Sequence, residues 1–137
     1  MPEARARDVH ELKARAEQGD VSAQLRLGTA YVKGRGVQQN DAEALKWYRL
    51  AAEQGEVRAH ANLALMYEGG LGVAQDYVEA LKWANLAATL DDEFEDFSGP
   101  IADQLTPEQI TAAKHLAREW KPKAWADLKK GLEAKSR

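Results

Sequence analysis

Residues 16–51, AEQGDVSAQLRLGTAYVKGRGVQQNDAEALKWYRLA, are followed without a gap by residues 52–87, AEQGEVRAHANLALMYEGGLGVAQDYVEALKWANLA. Each stretch is 36 residues long, and 19 of the 36 positions are identical with no insertion or deletion between them. A period of this size marks a stack of supersecondary units, none of which can bury its apolar face alone. Stacked units usually offer an extended surface to a partner. The recurrence points to binding before it points to catalysis.

Within each copy two helical patterns flank a glycine-rich break. The first spans about residues 21–33, where Ala23, Leu27 and Tyr31 recur every four residues with Gly28 alongside; Ala59, Leu63, Tyr67 and Ala64 repeat the stripe. Such spacing draws one apolar face along a helix, and the small residue beside each leucine lets a neighbouring helix approach closely. Next come Gly34-Arg35-Gly36-Val37 and Gly70-Leu71-Gly72-Val73. A phosphate loop would need a preceding strand and a Gly-Lys-Ser/Thr ending, so these glycines are read as helix stops and turns. The second helix begins after Asn40 or Asp76, both good N-caps, and runs through Trp47 or Trp83 to the Ala51-Ala52 or Ala87-Ala88 pair. Because the tryptophans keep phase with the alanines, they are expected to pack between units.

These motifs, A-E-Q-G-x-x-x-A, L-G-x-x-Y, G-x-G-V, A-L-K-W-Y and A-A at fixed spacing and twice over, resemble the Sel1-like repeat, a relative of the tetratricopeptide repeat. The 36-residue period and the G-x-G-V loop favour it over the tetratricopeptide period of about 34. Ala64 stands where the family prefers glycine, Ala84 where it prefers an aromatic, and His60 where Gln24 is the more typical residue. The resemblance implies an all-α fold, a right-handed α-solenoid of antiparallel helix pairs with helical caps. It also implies a protein-binding adaptor. It allows two alternatives: an immunity- or inhibitor-type partner of a bacterial effector, and, from another class, a hydrolase weakly active on cell-wall-like substrates.

The expected organisation is a single solenoid domain over residues 1–137. It comprises an N-terminal capping helix at 4–18, repeat one at 19–54, repeat two at 55–90, an acidic connector at 91–105 and C-terminal capping helices at 106–137. Thr106-Pro107-Glu108-Gln109 carries an N-cap, a first-turn proline and a capping-box glutamine. Ile110, Ala113, Ala117 and Trp120 then trace a stripe that Lys121-Pro122 interrupts, and a last helix carries Trp125, Leu128 and Leu132. Residues 101–105 are expected to form a short helix. Asp91-Asp92-Glu93-Phe94-Glu95-Asp96 places five carboxylates in six residues, without the alternating ligands and turn glycine of a calcium loop, and reads as a solvated connector pinned by Phe94 and Phe97. From Pro107 onward the balance reverses. Lys114, Arg118, Lys121, Lys123, Lys129, Lys130, Lys135 and Arg137 face Glu108, Glu119, Asp127 and Glu133, as suits the C-terminal ends of helices.

Composition narrows the partners. A chain of 137 residues with 45% hydrophobic and 30% charged residues can bury a core, and a net charge of −3 gives no global attraction for nucleic acid or an anionic membrane. The absence of cysteine rules out disulfides, thiolate catalysis and thiolate metal sites. No apolar run reaches membrane-spanning length and the start has no signal-peptide pattern. The chain as it stands is therefore expected in the cytoplasm, or in the periplasm where a signal segment has been removed. His10, His60 and His115 share no spacing and no serine lies in a nucleophile elbow, so neither an enzyme, a metal nor a cofactor is expected. A monomer that binds a protein or peptide is expected instead.

The two copies also separate scaffold from candidate site. Opposite the packing stripe lie Ser22, Leu25, Arg26, Thr29, Val32 and Lys33 in the first copy and Arg58, Ala61, Asn62, Leu65 and Glu68 in the second. In helix-pair solenoids the first helices line the concave face. These positions differ between copies while the stripe agrees, as expected of an apolar floor with a polar rim that takes a peptide or helix. A terminal helix or tail is the competing occupant.

Overall fold

The computed structural model describes the backbone of residues 2–135 and the side chains of residues 8–132. The side chains of Glu133 and Lys135, and all of Arg137, lie outside the described residues. Among those residues the chain forms eight α-helices and one 3-10 helix and no strand. The helices are α1 (Pro2–Glu17), α2 (Val21–Lys33), α3 (Asp41–Glu53), α4 (Val57–Gly69), α5 (Tyr77–Leu90), α6 (Ser98–Ala102), α7 (Pro107–Glu119) and α8 (Trp125–Lys135). The pairs α2–α3 and α4–α5 are the two copies, and consecutive helices from α1 to α5 pack on one another.

Local chemistry sets the starts of α3 and α5 and the ends of α2 and α4. The Asn40 side chain accepts a bond from the Glu43 N–H, and Asp76 accepts from Val78 and Glu79. Gly34 and Gly70 end the first helices in the left-handed conformation at φ 66° and 65°, where their N–H groups bond back to Ala30 and Met66. Gly72 has a second reason to be glycine. A Cβ there would sit 2.5 Å from the backbone carbonyl carbon of Asp41, so the loop of the second unit rests directly on the first turn of α3.

Packing follows the stripes. Ala23, Leu27, Ala59 and Leu63 are completely buried, and Trp47 and Trp83 are 2% exposed between helices. Full burial of each leucine side chain contributes about 1.5–3 kcal/mol. Gly28 is tight because a Cβ there would meet the Tyr48 ring at 2.7 Å. The corresponding residues of the second copy are Ala64 and Ala84, both fully buried, so the extra methyl appears where the aromatic ring is missing. Two departures from the family pattern are thus one compensated exchange.

After α5 the acidic run is helical. Residues Asp92–Phe97 form a 3-10 helix whose entry is capped by the Asp91 side chain, and α6 continues from it without a break. The short helix expected at 101–105 therefore lies earlier, at Ser98–Ala102, because the turn started by Asp91 carries straight through Ser98. Phe94 and Phe97 meet edge to face at 5.4 Å, and Phe97 and the buried Ile101 hold the segment against the core. Thr106 and Gln109 form the reciprocal capping box at 3.2 and 2.9 Å, and α7 packs along α5.

Candidate partner-binding groove

The outer faces of α2 and α4 meet α1 in a groove of about 660 Å³. Five of the residues expected on this face line it: Leu25, Arg26 and Thr29 from α2, Arg58 and Asn62 from α4. Arg26 and Asn62 occupy equivalent positions in the two copies, which explains why they point the same way. Thr29 is fixed in the floor. Its hydroxyl donates to the Leu25 carbonyl at 3.2 Å and lies 2.9 Å from the Tyr48 hydroxyl, whose pKa burial pushes above 10.0.

The other expected residues lie elsewhere. Ser22, Val32, Lys33 and Leu65 are exposed and Glu68 is half-buried, all outside the walls of the groove. Ala61 corrects the expectation, since it is 4% exposed and presents no surface to a partner. α4 buries seven residues where α2 buries five, and the single methyl of Ala61 does not project from that wider buried arc as Leu25 does at the matching position.

The sequence reading missed Asp8, Val9 and Leu12 of α1, together with Ala30 and Arg35. The sequence gives α1 only a capping role, since it has no second copy in the chain to compare with. Arg35 carried a readable signal, because the matching residue of the other copy is Leu71. Three arginines, Arg26, Arg35 and Arg58, thus line the groove, and among the described residues its lining holds one acidic residue, Asp8.

Among the described residues the carboxy-terminal segment does not line this groove; it runs along the inter-helix loops. Trp120 Nε1 donates to Glu53 Oε1 at 3.2 Å, Lys123 N donates to the Glu53 carbonyl at 2.7 Å, and Lys123 Nζ pairs with Glu53 Oε2 at 2.6 Å. Pro122 passes over Gly55, and the Trp125 ring lies so close to Gly19 that a Cβ there would be 2.5 Å from it. Trp125, Leu128 and Leu132 of α8 then pack against Val9, Ala16, Leu27, Trp47 and Leu50.

Under this strap lies His60. Its Nε2 donates to the Ala52 carbonyl at 2.8 Å, matching the bond from Gln24 Nε2 to the Ala16 carbonyl at 3.0 Å in the first copy. Its ring sits 5.2 Å from Trp83 and 5.0 Å, edge-on, from Trp120. Nδ1 is buried with no hydrogen-bond partner among the described residues. Burial pushes the His60 pKa below 6.5, against the pull of the Ala52 carbonyl and of Glu53 and Glu56. His10 and His115 are exposed on α1 and α7, and the described residues contain no group of three acidic or histidine side chains able to hold a metal ion.

Two stacked antiparallel helix pairs with G-x-G-V loops, flanked by further helices, define an α-solenoid of the tetratricopeptide-like kind. The chain belongs to the Sel1 repeat family, whose model matches residues 21–56 and 57–92. Among solved structures it is similar to c5321, a protective antigen present in uropathogenic Escherichia coli strains displaying an SLR fold. That likeness has 33% identity and a TM-score of 0.80 over 91% of this chain and 28% of that one. It is also similar to a Sel1 repeat protein from Oxalobacter formigenes, at 32% identity and a TM-score of 0.70 over 83% of this chain and 49% of that one. The chain therefore spans half or less of the length of both. No curated protein matches the sequence. No described helix is long and apolar enough to cross a membrane.

Proposed function

We propose that this chain is a non-catalytic interaction module that takes a peptide or protein segment in the groove between α1, α2 and α4. Sel1 repeat proteins generally act as protein-interaction modules, and the repeat fold is typically a non-catalytic scaffold. The observation that carries the reading is the placement of copy-specific residues. Arg26, Arg35, Arg58 and Asn62 all differ from their counterparts and line one groove, while most of the core, such as Ala23 with Ala59, Leu27 with Leu63 and Trp47 with Trp83, is shared by both copies. A site is where repeats are free to diverge, since packing constrains the rest.

Affinity capture with the wild type and three variants tests this. Arg58→Glu and Asn62→Trp alter the groove, and Lys130→Glu alters an exposed position on α8. A partner bound stoichiometrically by the wild type and Lys130→Glu, and lost from the two groove variants, is the expected result. Equal recovery by all four would overturn the assignment.

A further inference from the structure

The charge of the groove identifies the chemistry of its occupant, given that the groove is the binding site. The whole chain carries a net charge of −3, yet among the described residues this groove is lined by three arginines and a single acidic residue. The described ion pairs engage Arg15, Lys46, Lys82, Lys123 and Lys130. None of them engages Arg26, Arg35 or Arg58, so among the described residues these three have no acid within 4.0 Å. Arginine suits this place better than lysine would, because its planar fork grips a carboxylate through two parallel bonds and is less strongly hydrated. Beside the arginines, the half-buried Leu12 and Leu25 add apolar lining next to Thr29, with Val9 only 8% exposed. Asn62 adds a donor and an acceptor suited to a peptide backbone, with no hydrogen bond among the described residues.

We infer that the groove binds an acidic peptide in which carboxylates alternate with apolar side chains. The carboxylates pair with Arg26, Arg35 and Arg58, the apolar side chains rest on the apolar lining, and Asn62 holds the backbone between them. A purely apolar helix would leave three guanidinium groups facing hydrocarbon, which is unfavourable. A purely anionic chain would leave the apolar lining uncovered.

Fluorescence anisotropy on the full chain tests the inference with three labelled synthetic probes: a glutamate–leucine peptide, its glutamine–leucine counterpart and polyglutamate. The glutamate–leucine peptide is expected to bind most tightly. Its affinity should fall with added salt and drop about tenfold for each of Arg26→Gln, Arg35→Gln and Arg58→Gln. If the glutamine–leucine peptide binds as well as the acidic one and Asn62→Trp abolishes both, the groove stands as a site and the acidic inference fails. If the acidic peptide binds and neither Asn62→Trp nor the arginine variants weaken it, the groove assignment fails as well. Failure of every probe overturns the inference, as does self-association in sedimentation that Arg58→Gln abolishes, which would give the groove to a second copy of the chain.

Discussion

At the scale of single residues, His60 shows how a repeat tolerates substitution. Gln24 and His60 share one job: each adds a side-chain bond to a carbonyl in the last turn of the preceding helix, Ala16 or Ala52, which also accepts from the N–H of Gly19 or Gly55. The histidine keeps that bond and adds ring contacts with Trp83 and Trp120, but it introduces a group that can titrate. Because burial lowers its folded pKa below the ordinary 6.5, the unfolded chain takes up a proton more readily than the native one. Stability is then full above pH 6.5 and declines as the pH falls from there to the lowered native value. The decline amounts to about 1.4 kcal/mol for each unit of depression. His60→Gln restores the residue of the first copy and should flatten this part of the profile while leaving neutral-pH stability within about 1.5 kcal/mol. Urea midpoints measured across the range test it, and an acid-side decline of the same size in His60→Gln would refute the role given to the ring.

At the scale of elements, the repeat comparison made α2 to α5 legible, with the N-caps Asn40 and Asp76 and the stops Gly34 and Gly70, because glycine, asparagine and aspartate each have a local reason to stand where they do. The path of the strap was not legible. Glu53 looks like any polar residue at a helix end, and its match in the first copy, Glu17, gives no hint of three bonds to residues about seventy positions ahead. Periodicity found the apolar stripe of α7 and the leucines of α8 but could not say which core each would cover, since that choice is tertiary. Only part of the groove could be read, for a related reason: divergence between copies marks α2 and α4, whereas α1 has no copy. Glu53 is the place to test the strap. Glu53→Ala removes the acceptor for Trp120 and the partner of Lys123, and should lower stability by about 1–3 kcal/mol, the exposed lysine contributing least. Proteolysis between residues 119 and 124 should accelerate together with that loss. Thr106→Ala, which removes the α7 cap at a cost of about 1 kcal/mol, should leave cleavage there unchanged. Protection of the strap in Glu53→Ala equal to wild type would show that packing alone holds it.

At the scale of the molecule, the core divides into two apolar clusters with a division of labour between the last two helices. One cluster gathers Tyr48, Leu63, Trp83 and Ile101, and is covered by Ile110, Ala113 and Trp120 at the α7 end. The other gathers Val9, Leu27, Trp47 and Leu50, and is covered by Trp125, Leu128 and Leu132 of α8. Two repeats are fewer than the roughly three usually needed for a stable stack, and the strap answers that shortage by returning to the first unit after the second is closed. In a simple linear array each unit would depend on its neighbours only. Here α8 makes the first unit depend on residues at the far end of the described chain, and it does so beside the groove, since Val9 and Leu12 contribute both to the groove and to the cluster under α8. Trp125→Ala should therefore act unevenly. It removes a half-buried aromatic from one cluster and should cost about 2–4 kcal/mol, felt first in α1 and α2. Native-state hydrogen exchange reads this directly: amides of α1 and α2 should lose protection while those of α4 and α5 keep nearly all of theirs. The same variant should weaken binding in the groove although Trp125 does not line it, because α1 is one of its walls. A uniform loss of protection across all five helices would mean that the two clusters unfold as one unit and that α8 stabilises the stack as a whole.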